Sequence, residues 1–169
     1  MNARCYDHSL CESLESVTYL NTDGNIETSK IRQEDFGYKI SPFQKRKGVI
    51  VEAYFSLKEE APVEELLEKM KNYKADRENK GHYRFPSAGS VFKNNRDFGK
   101  PSGKIIDEAS LKGMRIGCAQ VSPDHGNIIY NTGGATSTEI KNLIDLVKQK
   151  VQNETGFNLE EEVIYMGEW

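Results

Sequence analysis

Three observations predict an α+β protein built in two pieces. Residues Ser16 to Leu20 alternate as a strand does, Asn21-Thr22-Asp23-Gly24 reads as a turn, and Asn25 to Thr28 as the return strand of a hairpin. Two later stretches instead carry their apolar residues at helical spacing. Between the halves runs a polar segment, Lys74 to Gly81, the expected domain boundary. Residues 1–79 are therefore expected to hold antiparallel strands and one helix, and residues 80–169 short strands with two helices.

The composition narrows the function classes. A chain of 169 residues can bury one good core or two small ones. Charged residues at 29% and hydrophobic residues at 37% are ordinary for a soluble protein. The formal charge of −3 gives no reason to expect nucleic acid as a partner. No apolar run approaches the roughly 20 residues a spanning helix needs, so no membrane partner is expected. The N-terminus lacks the basic-then-apolar order of a signal peptide. Cys5, Cys11 and Cys118 are an odd, scattered set that suits reduced thiols in a cytoplasm. His8, His82 and His125 lie far apart without metal-ligand spacing, and no metal is expected. Oligomeric state is not legible.

After the hairpin, Val49 to Leu57 is rich in β-branched and aromatic residues and is expected as a buried strand. Pro62 suits the first position of a helix. Val63, Leu66, Leu67 and Met70 then share one helical face, with acids in the first turn and lysines towards the end, as the helix dipole favours. Pro86 and Gly89 punctuate a turn, and Val91-Phe92 suits a short buried strand. Ser90 stands where turn becomes strand, followed by the amine of Lys93 and the amide of Asn94. Such a stretch could present a small anionic ligand with a hydroxyl and a charge; an ordinary turn is the other reading.

Gly99-Lys100-Pro101-Ser102-Gly103-Lys104 lacks the order of a phosphate loop, and Pro101 removes an amide donor. A short helix starting near Ser102 and burying Ile105, Ile106 and Ala109 is expected instead. Leu111 to Ala119 reads as a turn into a core strand. Asp124 to Asn131 reads as a polar turn feeding another, with His125 a turn residue rather than a general base. Thr136 and Glu139 form a capping-box pattern ahead of the stripe Ile140, Leu143, Ile144, Val147 and Val151, and Gly156 ends that helix. Glu160, Glu161 and Glu162, taken alone, suggest a solvated edge.

Pro86-Ser87-Ala88-Gly89-Ser90-Val91-Phe92-Lys93-Asn94 closely resembles the signature of the UDP-N-acetylenolpyruvoylglucosamine reductases, also called UDP-N-acetylmuramate dehydrogenases, the flavoenzymes of peptidoglycan precursor synthesis. Two more stretches resemble the family in the same order. Phe36-Gly37-Tyr38-Lys39-Ile40-Ser41-Pro42-Phe43 is similar to a Phe-Gly-Tyr-Arg-x-Ser-x-Phe run, and Leu159-Glu160-Glu161-Glu162-Val163 to a Leu-Glu-x-Glu-Val terminus. Met1-Asn2-Ala3 resembles the tail of the family's Gly-rich flavin motif. The likeness implies the C-terminal half to two-thirds of the enzyme: residues 1–79 as the remainder of the FAD-binding domain, residues 80–169 as the substrate-binding domain. Most flavin contacts would precede residue 1, so the chain alone is expected to hold FAD poorly and to be inactive.

By resemblance, Ser90 is the proton donor to the substrate's α-carbon, with Lys39 and Glu162 at the enolpyruvyl carboxylate. Asn94, Tyr38 and Lys93 would contact the UDP-sugar, and Asn2 and Ala3 the flavin; hydride would travel from NADPH through FAD. Two positions depart from the family pattern. Lys39 stands in place of an arginine, keeping the charge and losing the planar fork, and a plain solvated lysine is the other reading. Asn95 stands where relatives usually place proline. The alternative function is a non-catalytic nucleotide-sugar-binding remnant.

Overall fold

The hairpin forms as expected, inside a small sheet. In a computed structural model describing residues 1–6, 8–58 and 61–168, the chain divides into two compact units, Met1–Ala61 and Pro62–Trp169. The first opens with a short antiparallel ladder of β1 (Arg4–Cys5) and β2 (His8–Ser9). Its main sheet comprises β3 (Leu14–Asn21), β4 (Ile26–Lys30) and β5 (Gly48–Phe55), antiparallel in the order β4-β3-β5. Asn21 makes the turn: its Oδ1 accepts from the amides of Asp23 at 3.0 Å and Asn25 at 2.9 Å, and Gly24 takes φ +80°. Thr18 faces Thr28 across the register, hydroxyl to hydroxyl at 3.1 Å.

The strand expected to be buried is not. β5 forms where its β-branched residues predict it, yet every residue in it is exposed. Among the described residues it pairs only with β3, at the edge of this sheet. Strand propensity and burial are separate properties: Val49, Ile50 and Val51 satisfy the first while the described residues of this unit supply no layer over them. Val17 and Cys11 are its buried apolar residues.

The compact units divide at Ala61, so α1 (Val63–Asn79) belongs to the second unit, although the sequence placed it with the first. Its C-terminal turn runs straight into that unit: the amide of Lys80 donates to Asp76 at 3.1 Å and that of His82 to Arg77 at 3.0 Å. The expected apolar face is present in sequence, but no residue of α1 is buried.

The rest of the second unit is a four-stranded antiparallel sheet, β6 (Ser87–Ser90), β7 (Arg115–Ile116), β8 (Ala119–Val121) and β9 (Ile128–Asn131), in the order β6-β9-β8-β7. Two helices accompany it, α2 (Ser102–Glu108) and α3 (Ser137–Thr155); α3 lies against β7 and β8 and meets α2. α3 starts and stops as predicted. The Glu139 amide donates to Thr136 Oγ1 at 3.1 Å, and the Thr136 amide returns to Glu139 Oε2 at 3.0 Å. Gly156 closes the helix at φ +76°. Leu143, Ile144, Val147 and Val151 are each at most 1% exposed, worth roughly 1.5–3 kcal/mol apiece. They share one core with Val91, Phe92, Ile105, Ile106, Val121 and Leu159.

Candidate active site

The stretch around Ser90 is held in place by three neighbours. β6 pairs with β9, Ser87 opposite Tyr130 and Ser90 opposite Ile128. Three steps along β6 thus match two along β9, and the extra residue is a bulge just before the serine. Gly89 sits there at φ +79° with open space where a Cβ would go, so glycine is needed for its backbone and not for room. Bulges turn a strand and re-aim the side chain that follows. Ser90 is left exposed at the end of β6.

Beyond Ser90 the sheet is continued by a side chain. Asn127 is 4% exposed. Its carbonyl accepts from the Val91 amide at 2.9 Å, its Oδ1 from the Phe92 amide at 2.8 Å, and its Nδ2 donates to the Phe92 carbonyl at 2.8 Å. One buried amide therefore stands in for a strand residue and fixes Val91-Phe92. In sequence Asn127 reads only as part of a polar turn; the available signal was a polar residue opening the apolar run Ile128-Ile129-Tyr130.

The other side of Val91-Phe92 takes the C-terminal tail. Phe92 bridges Glu161 in antiparallel sense, and the Lys93 amide donates to the Glu160 carbonyl at 2.8 Å. The Val91 carbonyl accepts from both Glu162, at 2.7 Å, and Val163, at 3.5 Å, two tail residues opposing one as in a bulge. The backbone of Glu162 is thereby brought beside Val91, the residue after Ser90. Glu162 is half-buried. Of the three consecutive acids, Glu160 is exposed and pairs with Lys93, while Glu161 is partly buried and pairs with Lys148 of α3 at 2.9 Å.

Asn94 and Lys93 have structural partners. Asn94 Oδ1 accepts from the Ser102 amide at 2.9 Å, capping α2, and Ser102 Oγ donates to the Lys93 carbonyl at 2.6 Å. Asn95, the departure from the family's proline, caps the next turn by accepting from the Asp97 amide at 3.0 Å.

Tyr38 and Lys39 form the tip of a tight turn in the first unit. Gly37 and Ile40 exchange hydrogen bonds at 3.1 and 3.2 Å across it. Lys39 takes φ +58°, uncommon for a residue with a Cβ, and its ammonium lies 5.9 Å from the centre of the Tyr38 ring. Asn2 braces this turn, its Nδ2 donating to the Gly37 carbonyl at 3.1 Å and its Oδ1 accepting from the Cys11 amide at 3.1 Å. Both ends of the Asn2 amide are thus used within the protein, and the Ala3 carbonyl accepts from Leu10 at 2.9 Å. Ser41 is buried, and its amide donates to Gln44 Oε1 at 2.7 Å in a capping-box arrangement.

His125 and His82 stack edge to face, ring centres 5.3 Å apart. Burial lowers the basicity of both; for His82 the neighbouring His125 lowers it further. His125 Nδ1 accepts from the Asn127 amide at 3.2 Å, the turn role expected of it. Among the described residues, no group of three or more His, Cys, Asp or Glu could hold a metal, and no helix is long and apolar enough to cross a membrane.

A serine presented at a bulge, flanked by a charged pair and by a glutamate-bearing tail, sits in a small α+β unit. A sequence model described as UDP-N-acetylenolpyruvoylglucosamine reductase, C-terminal domain, matches residues 81–166. The chain belongs to that family. It is 48% identical over 167 residues to the UDP-N-acetylenolpyruvoylglucosamine reductase of Borrelia garinii subsp. bavariensis, covering 99% of this chain and 54% of that protein. It is 44% identical to the one from Treponema denticola, over 100% of this chain and 56% of that protein. The crystal structure of UDP-N-acetylenolpyruvylglucosamine reductase from Thermus caldophilus superposes with a TM-score of 0.69 at 32% identity, over 96% of this chain and 57% of that one. The chain spans about half the length of the relatives it matches.

Proposed function

We propose that this chain carries the proton-donating and substrate-holding groups of a reductase that converts UDP-N-acetylglucosamine enolpyruvate to UDP-N-acetylmuramate. The observation that carries the reading is the ladder that lays the Glu162 backbone beside Val91. It supports the reading because the tail that carries Glu162 runs past the residue after Ser90, and the family motifs assign these two residues, 72 positions apart in sequence, to one reaction. Residues 80–169 are assigned to the substrate side and residues 1–79 to the flavin side. FAD, reduced by NADPH, is the group that would supply hydride to the β-carbon when bound.

The chain's own residues answer the charge changes in the substrate. Reduction at the β-carbon leaves a carbanion-like α-carbon conjugated to a carboxylate. Ser90 gives its hydroxyl proton to that carbon, and its exposed place at the end of β6 lets a ligand reach it. Lys39 offsets the negative charge that grows on the carboxylate, and Glu162 acts at the same group as a hydrogen-bond donor in its protonated form. Tyr38 lies against the Lys39 side chain and restricts it. Lys93 and Asn94 shape the Ser90 strand through Glu160 and Ser102, and contact the sugar nucleotide from there.

The test is Ser90→Ala in this chain joined to the N-terminal half of a related reductase, assayed by substrate-dependent NADPH oxidation with FAD supplied. Loss of a general acid lowers kcat by about 10²–10⁴-fold, with KM little changed. Retention of more than a tenth of the activity overturns the assignment of Ser90.

A further inference from the structure

The C-terminal tail carries three identical side chains in a row, Glu160, Glu161 and Glu162, and a slip of one residue would exchange them between the two faces of an extended segment. We propose that Lys148 of α3 is a positioning residue that fixes this register, holding Glu161 inward so that Glu162 is carried on the opposite face. The inference rests on the reductase reading above and adds to it the group that selects which of three glutamates serves the substrate.

Burial alternates along the tail as it does in a strand covered on one side. Leu159 is buried, and Val163 and Tyr165 pack against the core of the second unit. Glu160, Ile164 and Met166 are exposed. Glu161 falls in the inward row, its side chain 21% exposed against 72% for Glu160. A carboxylate placed between Leu159 and Val163 loses water and needs a partner. Lys148 supplies it, Nζ to Oε1 at 2.9 Å. The backbone alone does not fix the next step. The Val91 carbonyl is shared by the amides of Glu162 and Val163, so two tail residues compete for one place just after Glu161. The ion pair is what ties the tail on the near side of that bulge.

The seat is built on α3. Lys141, Asp145 and Lys148 follow one another at spacings of four and three and form a single stripe of the helix. Lys141 pairs with Asp145, and its ammonium lies 5.4 Å from the centre of the Tyr165 ring. Burial, with the charges of Glu161 and Asp145 nearby, pushes the pKa of the Tyr165 hydroxyl up to about 12. Glu162 is thus bracketed on α3, by Glu161 on Lys148 before it and by Tyr165 on Lys141 after it. Glu160, two residues earlier, pairs with Lys93. The face left to Glu162 is therefore the one on which Glu160 meets Lys93, three residues beyond Ser90.

Lys148→Met and the double variant Lys148→Met/Glu161→Leu test this by two measurements. In this chain, amide hydrogen exchange is followed at Lys93 and Glu162, whose N–H groups bond Glu160 and Val91 across the ladder, with thermal melts to verify folding. Lys148→Met is expected to speed both by about tenfold while α3 stays protected, because the inward carboxylate has lost its cation. The double variant makes the inward row apolar throughout and should bring exchange back to within about threefold of wild type. Exchange unchanged in Lys148→Met overturns the inference and leaves the reductase reading standing. The same variants, in this chain joined to the N-terminal half of a related reductase, are assayed by substrate-dependent NADPH oxidation beside Glu162→Gln. Lys148→Met is expected to lower kcat about tenfold with KM little changed, and the double variant to recover most of it. A double variant as impaired as Lys148→Met gives the ammonium a direct part and overturns the positioning role. Full activity in Lys148→Met with Glu162→Gln impaired overturns this inference alone. Full activity in Glu162→Gln, or none in the wild-type chimera, overturns the reading it rests on as well.

Discussion

Asn127→Ala removes the side chain that completes the sheet beside Ser90, and its cost follows from the hydrogen bonds. Asn127 is 4% exposed and Phe92 2% exposed, so water does not replace what is lost. Truncation leaves the Phe92 amide and carbonyl both buried and unpaired, each having been satisfied at 2.8 Å. A buried backbone group without a partner costs about 1–3 kcal/mol, which puts the pair near 4 kcal/mol. The main-chain bond from Val91 to the Asn127 carbonyl survives, so the strand loosens at Phe92 first. The assay is equilibrium urea unfolding of the chain followed by tryptophan-independent far-UV circular dichroism. A loss near 4 kcal/mol corresponds to a fall in Tm of roughly 15–20 °C for a unit of this size. Asn127→Asp keeps an acceptor for the Phe92 amide but sets an oxygen against the Phe92 carbonyl, and is expected to be destabilised as well. A loss under about 1 kcal/mol in Asn127→Ala would refute the claim that this amide acts as a strand residue.

Other perturbations separate backbone from side-chain causes. Gly89→Ala meets no atom but forces a Cβ onto φ +79°, at about 1–2 kcal/mol. Gly117→Ala carries the same kind of penalty at φ +54° and also places its Cβ 1.8 Å from Glu139 Oε1, so it unseats the α3 capping box and should cost about 1 kcal/mol more; unfolding curves that rank the two the other way count against the cap. Lys39→Gly relieves the left-handed turn and should stabilise the first unit by about 1 kcal/mol, while reductase activity falls; a variant both more stable and fully active removes Lys39 from the mechanism. His82 and His125 are less basic when folded, mainly through burial, so below their ordinary value of 6.5 the unfolded chain binds more protons than the folded one. Their contribution to stability is complete above pH 6.5 and declines as pH falls from there. His125→Gln should flatten that slope in melts recorded at a series of pH values.

Local structure was legible wherever one short pattern sufficed. The Asn21 turn, the Thr136–Glu139 box, the α3 stripe and the Gly156 stop were all read correctly, because each depends on residues within one or two turns of each other. Burial of β5 and of the α1 face was not, because an apolar strand or helix specifies a surface and says nothing of what lies over it. α1 groups with the second unit for a related reason. Its polar C-terminal stretch looks like a linker, but backbone hydrogen bonds carry it without a break into the Gly81 turn.

The candidate site divides along the same line. Ser90 and Glu162 could be named from motifs, but the segments that carry them are held by Asn127, 37 residues beyond the serine, and by a tail that pairs with Val91 across 71 positions. Such contacts leave no local pattern. Asn127 shows why: the property that makes it indispensable is the geometry of Phe92, whose amide and carbonyl point away from the tail and need a partner of their own. A glutamine or histidine in the same place would look equally plausible in sequence, yet only a side chain with an acceptor and a donor at backbone spacing closes both bonds. The serine is therefore presented by two ladders that meet on either side of one dipeptide. Loosening either one should blunt the site without altering a residue that touches substrate.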